Sequence, residues 1–187
     1  MAAASTSPAA RITAKAAGSC KHACRNKSTC GHQCCKLTLL RQRFVSMGWK
    51  LRDVEGDGAC QFRALAVQLW GDEEAHGEVR AQAVAHLRQQ PPLFYEPQVF
   101  SSEVDDFVDV HSVEQYLDEM SKPGTWGDEV TLRAAADANG VVIKLIKTTE
   151  TRWFEEIKPA ALDERHLANN IRIGFHSEMH YVATETE

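Results

Sequence analysis

The sequence predicts an α+β fold, with helices packed around a small central β-sheet and a short Cys/His-rich arm in front of them. Three observations carry that prediction. Apolar residues recur at helical spacing between residues 60 and 139, β-branched runs crowd residues 141–184, and five of the six cysteines lie between positions 20 and 35. The charges divide the chain in a similar way. The net of −5 averages 21 Lys and Arg with 26 Asp and Glu, yet residues 1–52 hold ten of the basic residues and no acidic one, so the two parts come to +10 and −15.

At 187 residues, 43% hydrophobic and 25% charged, the composition is globular and excludes wholesale disorder or a collagen-like fibre. No apolar run nears the roughly 20 residues of a spanning helix, so no membrane role is expected. The Ala-rich start is broken by Pro8, Arg11 and Lys15 and has no continuous apolar core of a secretory signal. Cytoplasmic or nuclear residence is the default expectation, and the acid-free, Ala/Ser-rich start is also compatible with an organellar transit peptide.

The elements follow in order. Residues 1–19 are mostly Ala, Ser and Thr, with one Pro, too little apolar bulk to order a chain, and are read as a flexible leader. Residues 20–36 form the Cys/His segment. From Leu37, the apolar residues Leu40, Phe44 and Val45 predict a short amphipathic helix or linker leading to Trp49. Phe62, Leu65, Ala66, Leu69 and Trp70 place one apolar stripe on a helix that starts right after Cys60. A second helix runs from about Glu74 to Gln90, where Pro91 and Pro92 end it. Ser112 and Gln115 make a capping box for a helix whose inner face is Val113, Tyr116, Leu117 and Met120. Asp128 caps another that runs to Asn139 and stops at Gly140. Strands are expected at residues 141–146, 153–157, 171–175 and 181–184.

The chemistry concentrates at Gly56-Asp57-Gly58-Ala59-Cys60. Two glycines allow a tight turn, and the helix that follows puts Cys60 where free N–H groups and the helix dipole favour an anion. The amides around Gly58 to Cys60 are placed to stabilise an oxyanion. A base is still required, and His180, at the start of the last strand and 120 residues away, suits a dyad that the fold assembles. The plainer alternative is a buried small cysteine and a structural histidine.

The run Asp57-Gly58-Ala59-Cys60-Gln61-Phe62-Arg63-Ala64 closely resembles the nucleophile motif of the ovarian-tumour (OTU) family of cysteine-dependent deubiquitinases. Trp126-Gly127-Asp128-Glu129-Val130-Thr131-Leu132 resembles the family's central block, and Glu178-Met179-His180-Tyr181 its terminal histidine motif, in the same order and over roughly residues 47–184. The resemblance implies a papain-like, OTU-type cysteine protease with Cys60 as nucleophile, His180 as general base and Asp57 as an acidic residue of the site. It further implies hydrolysis of the isopeptide bond at the C-terminal glycine of ubiquitin, with ubiquitin or polyubiquitin chains and ubiquitinated proteins as partners and no catalytic cofactor. Many family members carry Asn or Asp two residues after the histidine, but here that position is Val182, which cannot hydrogen-bond. The orienting role is then open to Asp57, to Glu178 or to a residue that the sequence does not reveal, with Asp57 preferred. Trp126 is read as packing and Asp128 as a helix cap.

In the arm, Cys20-Lys21-His22-Ala23-Cys24 recurs ten residues later as Cys30-Gly31-His32-Gln33-Cys34, followed by Cys35. Thiolate and imidazole are zinc's preferred donors, so Cys20, His22, Cys24, Cys30, His32 and Cys34 are candidate ligands of a structural zinc, with the pairing open. Lys21, Arg25, Lys27 and Lys36 allow contact with nucleic acid or another acidic partner. The expected organisation is therefore a leader at 1–19, a zinc-binding segment at 20–36 and an OTU-like catalytic domain at 47–187. The alternative function is a catalytically inactive ubiquitin- or nucleic-acid-binding zinc module.

Overall fold

The computed structural model describes residues 33–89, 113–161, 169–176 and 179–185. The leader, Cys20, His22, Cys24, Cys30, His32, Ser112 and Glu178 lie outside them.

Chain order is α1 (Gln33–Ser46), β1 (Leu51–Arg52), α2 (Cys60–Trp70), a 3-10 turn (Glu73–Ala75), α3 (His76–Gln89), α4 (Val113–Met120), α5 (Glu129–Asn139), β2 (Val142–Lys147), β3 (Phe154–Ile157), β4 (Asn170–His176) and β5 (His180–Thr184). The strands form one mixed sheet in the order β1-β5-β4-β2-β3, in which only β2 and β4 run parallel. Helices around a small sheet are what the sequence predicts.

Strand alternation sorts the side chains between two layers. Ile143, Leu145, Ile173, Tyr181 and Ala183 join the main core with α2, α3, α4 and α5. Ile146 and Val182 face the other way and meet Leu40 and Phe44 of α1. Gly174 belongs to that second layer, since a β-carbon there would sit 2.9 Å from the Phe44 ring.

The α2 helix is the centre of the fold. Cys60–Val67 are all buried, so its first two turns are covered on every side, and the apolar stripe leaves the core only at Trp70, which is exposed. Gly71 ends the helix in the left-handed conformation that a glycine adopts without strain. Asp128 caps α5 as expected, accepting from the Thr131 amide while the Thr131 hydroxyl accepts from the Asp128 amide, and Gly140 closes the other end. The two-residue β1 is the strand that periodicity did not foresee, being too short to display any.

Two features refine the reading of the N-terminal part. Residues 33–46 are one helix packed on the sheet, ahead of position 47. Cys34 lies in its first turn, and Cys35 is fully buried in the core.

Candidate active site

The loop from Asp53 to Ala59 links β1 to α2 and brings three groups together. Cys60 opens α2 and is 8% exposed, with its Sγ 4.0 Å from the Met179 carbonyl oxygen. His180 opens β5, and its Nε2 lies 2.9 Å from Oδ1 of Asp53. With Nε2 occupied, Nδ1 is the nitrogen left to face the thiol.

Burial alone would lower the pKa of His180. The hydrogen bond to Asp53, the hydrogen bond to Cys60 and the charges of both overcome it and raise the value to about 9. In return, the hydrogen bond from His180 holds the Asp53 carboxyl below the ordinary carboxylate range against partial burial. His176, opposite His180 in the β4–β5 ladder, presents its ring edge-on to the His180 imidazole, with an interplanar angle of 72° at a centroid separation of 5.3 Å. Burial, and then the charge of His180, lower its pKa to about 4, so it stays neutral beside a protonated neighbour.

The sequence prefers Asp57 for the orienting role, and the geometry places it elsewhere. Its Oδ1 accepts from the Ala59 amide at 2.9 Å, and its Oδ2 accepts from Arg63 Nη2 at 2.8 Å and Nε at 3.2 Å. Burial opposes ionisation there, but the bonds from Arg63 and Ala59 win and the carboxyl titrates low. Arg63, with its side chain 7% exposed, also donates to Glu74 at 3.1 Å and lies 3.4 Å from Glu55. Asp57 therefore fixes the turn to α2, and the acid that touches the imidazole is Asp53. Asp53 was missed because nothing local separates it from Glu55 or Asp57. The available clue was the apolar Val182: continuing the Arg52–Ala183 register by one residue sets Asp53 across from it. The carboxylate then arrives from the neighbouring strand.

The loop's shape has specific causes. Gly58 has φ +90°, and a β-carbon on it would stand 2.2 Å from the Gly124 carbonyl oxygen, so two backbones meet where no side chain fits. Gln61 ties α2 to α5, since its Nε2 donates to the Asp128 carbonyl at 2.8 Å and its Oε1 accepts from the Thr131 hydroxyl at 2.9 Å. The Tyr116 hydroxyl donates to the Asp128 carboxylate. Of the amides expected to face an oxyanion, that of Ala59 is committed to Asp57, which leaves those of Gly58 and Cys60 for the role.

Beside Cys60 opens a cleft of about 290 Å³, lined by Trp126, Asp128 and Glu129 and floored by Leu132, Leu145 and Ile157, with Phe175, Met179 and Tyr181 at its side. Trp126, read from sequence as a packing residue, is instead 58% exposed. Asp128 is the cap it was expected to be. Among the described residues, no three His, Cys, Asp or Glu side chains converge to hold a metal, and no helix is long and apolar enough to cross a membrane.

A cysteine at a helix N-terminus, a histidine on the adjacent strand and a carboxylate behind the histidine define a papain-like cysteine hydrolase site. The particular family follows from comparison: a model of the OTU-like cysteine protease family matches residues 55–184, and the chain belongs to that family. It is 37% identical over 146 residues to OVARIAN TUMOR DOMAIN-containing deubiquitinating enzyme 10 of Arabidopsis thaliana, covering 77% of this chain and 36% of that protein. Deubiquitinating enzyme 11 of the same plant is 35% identical over 159 residues, covering 83% and 56%. The chain thus spans between about a third and just over half the length of these relatives. The solved OTU domain of OTUD1 superposes with a TM-score of 0.63 at 19% identity over 81% of this chain and 95% of that one, which shows the same fold.

Proposed function

We propose that the chain is a thiol-dependent deubiquitinase, hydrolysing the isopeptide bond between the C-terminal glycine of ubiquitin and a substrate lysine. The observation that carries this is the contact of His180 with both Asp53 and Cys60 beside an open cleft, in a chain of the OTU-like cysteine protease family. The relatives' names as deubiquitinating enzymes support the choice of ubiquitin. The complete trio favours an enzyme over the non-catalytic binding module.

In this reading His180 holds the proton and Cys60 attacks as thiolate. The Sγ lone pair forms a bond to the glycine carbonyl carbon, and the carbonyl electrons move to an oxygen facing the Gly58 and Cys60 amides. Collapse expels the lysine amine, which takes the proton from His180, and leaves a thioester on Cys60. Water then gives a proton to His180 and adds to the thioester, and the thiolate leaves ubiquitin with a free carboxylate. Asp53 keeps the imidazole turned and its Nε2 proton in place. No cofactor enters.

The test is a ubiquitin probe with a C-terminal electrophile. The wild-type chain forms a covalent adduct and Cys60→Ala does not; a folded wild-type chain that forms none overturns the reading.

For the arm, the donor chemistry of Cys20, His22, Cys24, Cys30, His32 and Cys34 fits a structural zinc. Metal analysis of the full chain against one lacking residues 1–32 tests this, because stoichiometric zinc retained by the shortened chain would place the metal elsewhere. The basic residues there are the sole support for an acidic or nucleic-acid partner. A reducing cytoplasmic or nuclear compartment suits both thiol chemistries.

A further inference from the structure

We propose that Trp126 is a substrate-contact residue, its indole packing against the acyl-side tail that ends in the glycine attacked by Cys60. This rests on the protease reading above. The first observation is how the loop is mounted. Arg80, lying over the Phe62 ring, donates to the Met120 carbonyl at 2.9 Å and to the Thr125 carbonyl at 2.7 Å. Gly124 abuts Gly58, and Gly127 is so close to Gln61 that a β-carbon would stand 2.2 Å from its Oε1. Backbone anchored at 124, 125, 127 and 128 leaves the residue between them little freedom.

The second observation is exposure. On this pinned backbone the indole is 58% exposed, at the lip of the cleft that contains Cys60. A large aromatic held in place by its backbone loses little entropy when a ligand covers it, so its burial contributes to binding.

The third is direction. His180 protonates the departing amine, so the leaving lysine lies over the imidazole. Gly56 stands beside that ring, with its β-position 3.8 Å from Nδ1, whereas Gly58 stands against Gly124. The nucleophile loop therefore runs from the histidine side to the Trp126 side, and the acyl chain leaves Cys60 towards the indole. A preformed apolar contact remote from the reacting atoms holds ground state and transition state alike, so its loss raises KM and spares kcat.

The experiment uses ubiquitin carrying a C-terminal aminocoumarin, which fixes the leaving group and keeps lysine contacts out of the comparison. Trp126→Ala raises KM about tenfold with kcat within about twofold, Trp126→Phe recovers most of the loss, and the thermal midpoints stay together. Trp70→Ala, at the far end of α2 and also exposed, leaves both constants unchanged. A Trp126→Ala enzyme with wild-type KM overturns the proposal, as does one whose kcat or melting point falls instead. A wild-type chain inert towards this substrate overturns the protease reading with it, whereas an active wild type with an unmoved variant overturns this inference alone.

Discussion

Asp53 and His180 are 127 positions apart in the chain, and their Oδ1 and Nε2 atoms are 2.9 Å apart in the fold. The bond and the charge of Asp53 both raise the imidazole's pKa, towards about 9. Asp53→Asn removes the charge, so the value falls and the alkaline limb of activity, near pH 9 in the wild type, moves to lower pH. A loss of kcat/KM on the order of 10²-fold accompanies it. A pH–rate profile of the two proteins checks both; a limb that stays at 9 in the variant refutes the assignment.

Asp57 gives the opposite pattern. Asp57→Ala strips Arg63 of its shortest ion pair and the Ala59 amide of its acceptor, and stability falls by about 1.5–3 kcal/mol. The alkaline limb stays near pH 9, because Asp57 does not touch the imidazole. Urea denaturation reads the first effect and the pH profile of residual activity the second.

Gly58→Ala combines a disallowed backbone with a collision at the Gly124 carbonyl. Destabilisation of about 2–4 kcal/mol is expected, with loss of labelling by the ubiquitin probe in whatever protein still folds. Wild-type labelling by a soluble Gly58→Ala protein would show that the loops do not need to meet there.

His176 makes the fold sensitive to acid. Its folded value of about 4 lies below the ordinary 6.5, so the stabilisation from keeping it neutral is complete above 6.5 and drains away as pH falls towards 4. His180, shifted upward, has the reverse sign: its contribution is full below 6.5 and is lost as pH rises through about 9. On going from pH 7.5 to pH 5, the thermal midpoint of His176→Gln should drop less than that of the wild type, or rise, because the loss at His176 is removed while the gain at His180 remains.

Much of this was legible in the sequence wherever side chains repeat or cap. The stripe from Phe62, the Asp128 cap with its Gly140 stop and the β-branched run before Lys147 all report on their own neighbourhoods, and each became the expected element. That the fold would bring Cys60 and His180 together was legible through the motifs around them. The bond of Asp53 to His180 and the exposure of Trp126 were not, since each depends on what lies opposite: a strand partner for the carboxylate, and for the indole a loop fastened by Arg80, a residue 46 positions earlier in the chain. The α1 helix was half legible. Leu40 and Phe44 announced an apolar face, but not that the face would land on Ile146 and Val182.

That last contact sets a rule for dissecting the protein. A fragment begun at residue 47, where the resemblance to the family begins, would discard Leu40 and Phe44 and leave Val182 open to water two residues from His180. It would also delete Arg43, whose guanidinium donates to the Lys147 and Thr149 carbonyls at the end of β2. Any minimal fragment of the domain therefore has to include the helix from Gln33, and with it Cys34 and Cys35, so the Cys/His segment and the domain share a stretch of chain and cannot be cut apart at a clean boundary.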